Sequence, residues 1–104
     1  MIRTVIVRSD AERDIAEALQ FYDNQQPGLG DEFLADYEQF LSRISANPEH
    51  FTPVRNHRGK EVRKGRMERF SSYTIFFECY PDAIKICLVW HGARNPDELK
   101  RHLR

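Results

Sequence analysis

The segment from Val62 to Arg94, VRKGRMERFSSYTIFFECYPDAIKICLVWHGAR, constrains the fold more than any other part of the chain. Its β-branched and aromatic residues come in short runs separated by Ser71-Ser72 and Pro81-Asp82. That is the pattern of consecutive strands joined by tight turns. The spacing predicts one strand over 61–70, a second over 73–80 and a third over 83–90. In the second, Tyr73, Ile75, Phe77 and Cys79 share a face. In the third, Ile84, Ile86, Leu88 and Trp90 take one face, and Lys85, Cys87, Val89 and His91 the other. These two are the most apolar segments and belong at the centre of a sheet. The 61–70 strand barely alternates: Arg63, Met67 and Arg69 fall on one side, Val62, Lys64, Arg66, Glu68 and Phe70 on the other. With Pro81-Asp82 as the turn, cross-strand partners have numbers summing to roughly 163. Cys79 then faces Ile84 and Cys87 faces Phe76, so the two cysteines are expected as free thiols.

What precedes this segment reads as a cover for one side of it. Thr4 to Arg8 is a short strand rich in β-branched residues, suited to a sheet edge. Ser9-Asp10-Ala11-Glu12 has the form of a capping box. Apolar residues follow at Ala11, Ile15, Ala18, Leu19 and Tyr22, one stripe of a helix. Asp10, Glu12, Asp14 and Glu17 crowd its first half, where the helix dipole favours acids. The helix ends near Asp23-Asn24, and Pro27-Gly28-Leu29-Gly30 makes a corner. That corner lacks a following Gly-Lys-Ser/Thr, so it reads as a helix–helix turn and not a phosphate loop. A second helix runs from about Asp31 to Ala46, with Phe33, Tyr37, Phe40, Leu41 and Ile44 on one stripe and Asn47-Pro48 as its stop. Residues 50–60, with Pro53, Gly59 and many polar side chains, read as a loop. Asn95-Pro96 opens a short last helix with the basic end KRHLR.

The 104 residues make a single domain, and a 40% hydrophobic content excludes a disordered chain. No apolar run approaches the roughly 20 residues of a membrane span. The N-terminal apolar run is too short for a signal peptide, so a cytoplasmic location is expected. The formal charge is zero but unevenly spread. Residues 10–49 hold ten acids and two bases; residues 50–104 hold twelve bases and six acids. An acidic helical half and a basic sheet half suggest an electropositive face for an anionic partner. A solvated surface of mixed charge is the other reading.

His50, His57, His91 and His102 have no metal-ligand spacing, so neither metal nor cofactor is expected. No nucleophile elbow is present. What remains is arginine. Arg63, Lys64, Arg66 and Arg69 follow the 61–70 strand, Arg55, Arg58 and Lys60 precede it, and His91 and Arg94 end the last strand. Arginine grips phosphate oxygens bidentately and can stabilise a phosphorane during RNA cleavage. For such cleavage His91 and Tyr73 are the candidates for base and acid. Against these stand a strand-end His91 that packs or bonds locally, an Arg69 ion-paired to a helix acid, and an Arg94 in a surface or helix-capping role.

The order of elements and the motifs VRKGRMERFSSYTIFFE and IKICLVWHGARNP resemble the RelE/ParE superfamily, the toxins of bacterial type II toxin–antitoxin modules, also called plasmid stabilisation proteins. The residues that carry the resemblance are Arg69, Phe70, Tyr73, Val89, His91, Gly92 and Arg94, with Ser71-Ser72 in place of the family's single proline. The resemblance implies an α+β fold: a twisted antiparallel sheet of about four strands, with an N-terminal two-helix hairpin on one face and a short C-terminal helix. It implies an antitoxin partner whose C-terminal segment wraps the toxin, and a homodimer or toxin–antitoxin hetero-oligomer as the assembly.

Two branches of the family differ in target. The ribonuclease branch cuts messenger RNA on the ribosome, and here would use Arg69, His91 and Arg94 as catalytic residues. That branch also carries an arginine after the strand tyrosine, where this chain has Thr74, and a C-terminal tyrosine, whereas none follows Tyr80 here. Its strand lysines align with Gly65 and Met67. The other branch, ParE, inhibits DNA gyrase by binding. The PGLG hairpin and the Val-x-His-Gly-x-Arg motif look more like that branch, and a neutral net charge suits a protein target better than ribosomal RNA. Arg63, Arg66, Arg69 and Arg94 are then the expected target-binding residues. A family member that no longer poisons anything, and acts only with its antitoxin, is the third reading.

Overall fold

The computed structural model describes residues 3–57, 59–95 and 97–99, the side chains of 55–57 excepted. The basic positions Arg55 and Arg58, the proline of Asn95-Pro96 and the KRHLR end lie outside these bounds. The elements are β1 (Thr4–Val7), α1 (Ser9–Gln25), α2 (Leu29–Ala46), a 3-10 turn (Pro48–His50), β2 (Thr52–His57), β3 (Lys60–Arg66), β4 (Tyr73–Cys79) and β5 (Ala83–His91). The fold is α+β, with the helix pair on one face of the sheet, as expected.

The sheet has five strands in the order β1-β5-β4-β3-β2, one more than expected, and it is mixed. From β2 to β5 every pairing is antiparallel, while β1 joins β5 in parallel, from Thr4 opposite Ala83 to Val7 opposite Ile86. The reason is directional. Each successive long element reverses the chain, so the first and seventh, β1 and β5, run the same way. The additional strand, β2, falls in the stretch that reads as a loop. Its Pro53 cannot donate to a ladder, but β2 is the outer strand, where proline is tolerated.

Other departures are local. Ser9 is the first helical residue, not the cap. Arg8 precedes the helix, its carbonyl accepts the Glu12 amide at 2.9 Å, and no side chain caps the end. The PGLG corner does join the helices. Gly28 caps α2 at φ 91°, a left-handed conformation that other residues resist. The Asp23 carboxylate accepts the Gly30 amide at 2.8 Å, occupying an otherwise orphaned donor of the helix start. β3 stops at Arg66, short of the predicted Phe70, because the buried Asp36 carboxylate on α2 accepts both the Arg69 and Phe70 amides, at 3.0 and 2.9 Å. Those amides therefore leave the ladder. Met67 and Phe70 turn towards the helices, and Met67 is fully buried.

The main core lies between the helix pair and the sheet. Phe33, Phe40 and Ile44 of α2 meet Ile75, Phe77, Ile84, Ile86 and Val89. Fully burying such a side chain contributes about 1.5–3 kcal/mol. Tyr22, Phe33, Phe70 and Tyr73 pack as an aromatic group with centroid separations of 5.0–6.3 Å. Gly65 lies against a second aromatic pair, Phe40 and Phe51. A Cβ there would stand 2.5 Å from Phe51 and 2.9 Å from Phe40, so the strand can approach these rings only without a side chain. A smaller cluster, Phe76, Cys87, Leu88 and Trp90, lies on the opposite face, with Val54 and Leu99 against it.

One irregularity decides which side each residue of β5 takes. The pairings Cys79–Ile84, Glu78–Lys85 and Phe77–Ile86 follow the expected register, but Phe76 then faces Leu88 and not Cys87. This β-bulge inserts one residue, and every later side chain changes face. Leu88 and Trp90 therefore lie away from the helices. Val89 and His91 lie towards them, the reverse of the Leu88 and Trp90 assignment made from strict alternation. Both cysteines are free.

Candidate functional site

The bulge brings His91 beside Tyr73, its cross-strand partner, with ring centroids 4.9 Å apart and the planes nearly perpendicular. The three residues after the strand form a compact corner. The Gly92 amide donates to Ser72 O at 2.8 Å, the Ala93 amide to His91 Nδ1 at 3.0 Å and the Arg94 amide to His91 O at 3.1 Å. His91 is thus oriented through Nδ1. Tyr73 is 8% exposed, and burial, then the hydrogen bond with Tyr22, pushes its hydroxyl well above the ordinary tyrosine range. Such a hydroxyl holds its proton, so it is a weak candidate either for taking one from a ribose or for giving one to a leaving oxygen.

Arg94 turns around the end of β5. Its guanidinium carbon lies 4.1 Å from the centroid of Trp90, a cation–π contact. Nη1 is 3.7 Å from Asp14 Oδ1 on α1, and Nη2 is 3.4 Å from Glu98 Oε2. Asp14 uses its other oxygen to accept the Val89 amide at 3.1 Å. A cleft of about 290 Å³ opens beside this arrangement, between α1 and the ends of β4 and β5. Tyr73, His91 and Arg94 line it from the sheet; Asp14, Glu17 and Phe21 line it from α1. Phe21 is 54% exposed. Two carboxylates beside one arginine and one histidine make a poor cradle for a phosphodiester and a better one for a protein surface of mixed charge.

The other arginines are differently employed. Arg69, outside the cleft, pairs with Glu32 of α2 at 2.8 Å. Arg63 is held by Glu61 at 2.7 Å and donates to Phe51 O at 2.7 Å and Glu49 O at 3.4 Å. Its neighbour across the ladder is Phe77, so it lies on the helix side. Arg66 is exposed and has no partner among the described residues. It faces Thr74, which faces Trp90, so Arg66 and Trp90 lie in one row on the open face. Lys64 forms the next row with Phe76 and Leu88. The structure therefore brings His91 and Arg94 together, sets Arg66 on the face that Arg94 borders, and places Arg63 and Arg69 elsewhere. Positions 65 and 67 are unsuited to lysines, since Gly65 sits against Phe40 and Phe51 and Met67 is in the core.

Asp14, Glu17, Phe21 and Asp36 were not among the site residues read from sequence. Asp14 carries a faint signal: it lies three residues after Ala11 and four before Ala18, on the buried stripe of α1. Among the described residues no group of histidine, cysteine, aspartate and glutamate could hold a metal ion, and no helix is long and apolar enough to cross a membrane.

Comparison with known proteins gives the family and the fold. The family model for the ParE toxin of the type II toxin–antitoxin system, parDE, matches residues 5–96. The chain belongs to that family. A solved structure of the chromosomal ParDE TA system from P. aeruginosa is similar in fold, with a TM-score of 0.70 at 14% sequence identity, covering 86% of this chain and 96% of that one. No curated protein matches.

Proposed function

We propose that the chain stops growth by binding DNA gyrase, with no hydrolytic centre of its own, and that a cognate antitoxin neutralises it. The observation that carries the reading is the scattering of the groups a ribonuclease would need. A cleaving centre needs base, acid and cation around one phosphodiester. Here Tyr73 is buried, Arg69 lies outside the cleft beside Glu32, and the cleft beside His91 and Arg94 is half acidic. Membership of the ParE family supports both the antitoxin and the gyrase branch. The contact surface in this reading is the open face and its rim, with Arg66 and Arg94 touching the target. Of the others expected to touch it, Arg63 supports the strand from the helix side, and Arg69 lies apart from this face, exposed beside Glu32. Gyrase is a cytoplasmic enzyme, so the proposed location is the cytoplasm.

Induction of the chain alone, followed by assays of gyrase supercoiling and of transcript integrity, tests the reading. Loss of supercoiling with intact transcripts is expected. Cut messenger RNA with normal supercoiling would refute it in favour of ribosome-dependent cleavage. Unimpeded growth with verified expression would leave a family member that acts only in its antitoxin complex.

A further inference from the structure

β1 ends at Val7 and pairs with β5 only from Ala83 to Ile86, so among the described residues no strand lies beside the outer edge of β5 beyond the bulge. The Val89 amide points out of that edge, and Asp14 of α1 supplies its acceptor at 3.1 Å. The second oxygen of the same carboxylate lies 3.7 Å from Arg94. One side chain, 15% exposed, thus fixes both the strand end and the cation that wraps around it. Glu98 also contacts Arg94, but from a side chain 42% exposed and only four residues away along the chain, so it moves with the segment it would have to restrain.

From this geometry we infer that Asp14 is a positioning residue. It holds Arg94 flat against Trp90 at the rim of the open face, and loosening it weakens target binding through Arg94. The consequence for binding rests on the gyrase reading; the hold on Arg94 does not. The two parts have separate readouts because Trp90 is the chain's single tryptophan. Its emission reports the guanidinium stacked on it, in the free protein and without any target.

The test is a double-variant cycle in the full chain with Asp14→Asn and Arg94→Ala. Asparagine keeps an oxygen for the Val89 amide and removes the charge facing Arg94. Asp14→Asn alone is expected to shift Trp90 emission and to weaken binding to purified gyrase roughly fivefold, the size a part-exposed ion pair supports. In an Arg94→Ala background the same change is expected to do neither, since coupled residues give non-additive effects. Glu17→Gln, which removes a second acid from the same cleft, is expected to leave Trp90 emission unchanged. Equal effects of Asp14→Asn with and without Arg94, or an equal shift from Glu17→Gln, would overturn the inference. Should the asparagine variant fail to fold, Asp14→Glu keeps the charge and moves it by one methylene; unchanged Trp90 emission there would also overturn it. Failure of the unaltered chain to bind gyrase refutes the functional reading alone, because the emission cycle still decides the role of Asp14.

Discussion

On the helix side of the sheet, Ile75, Phe77, Ile84, Ile86 and Val89 are sealed by two helices of 17 and 18 residues. On the other side, Phe76, Leu88 and Trp90 are just as apolar, but the partly buried hydrophobic residues packed against them are Val54 and Leu99, with Arg94 over Trp90. The basic residues divide in the same way. Arg63, on the helix side, is tied to Glu61 and to backbone carbonyls, whereas Lys64 and Arg66, its neighbours on the open side, are exposed. The closed face spends its residues on cohesion. The other face buries its apolar strip almost as fully, Phe76, Leu88 and Trp90 being 3–5% exposed, so what it offers a partner is the exposed cations beside the strip.

The largest test of this contrast is truncation on each face. Phe77→Ala should cost about 3–5 kcal/mol of unfolding free energy, because the helices cannot collapse into the gap. Leu88→Ala should fall near the lower end of the roughly 2–5 kcal/mol range for such sites, because the thinner cover can relax. Chemical denaturation measures both, and equal losses would break the comparison. Next comes Asp36→Ala, which leaves the Arg69 and Phe70 amides without their acceptor. A loss of about 2–3 kcal/mol is expected, with the 67–72 loop exchanging its amide hydrogens faster.

Tyr37 sharpens the account of the closed face. Its hydroxyl is buried without a partner among the described residues, and burial, then the charge of Glu12, pushes its pKa up to about 12. The folded state therefore holds this proton more tightly than the unfolded chain. The associated stability is fully present below pH 10 and is lost as pH rises towards about 12. Tyr37→Phe should change neutral-pH stability by less than about 1 kcal/mol and flatten the alkaline loss, as read from melting temperatures across that range. The smallest stability effect belongs to Arg66→Glu, expected within about 0.5 kcal/mol of the unaltered chain. The same change should reduce gyrase binding at least tenfold if the open face is the contact surface. A variant that binds normally would remove Arg66 from that surface.

Much of this architecture is legible in the sequence because it rests on local periodicity. The stripe Phe33, Tyr37, Phe40, Ile44 is buried as a helix stripe should be, and the β4–β5 hairpin keeps its predicted register from Cys79 opposite Ile84 to Phe77 opposite Ile86. β2 was hidden by Pro53 and its polar neighbours, which are acceptable only because the strand is an edge, a fact of topology. The candidate site was legible in type and not in arrangement. His91 and Arg94 stand out as residues at a strand end, but the partners that define them are distant in sequence: Asp14 for Arg94, Glu32 for Arg69. Asp14 differs from its acidic neighbours in the sequence only by its place on the buried stripe of α1, which does not say what it pairs with.

The bulge at Cys87 makes the molecule sensitive to parity. Between the turn at Pro81-Asp82 and the corner at Gly92, one residue decides whether an odd or an even position looks towards the helices. Composition, apolar content and strand propensity would be almost unchanged by its deletion. Yet the tryptophan would be driven into the crowded layer and the histidine turned out of the cleft. Length in this strand is therefore under a stricter constraint than identity: apolar substitutions of similar volume between 84 and 90 can be absorbed by repacking, whereas a single-residue insertion or deletion exchanges the two faces.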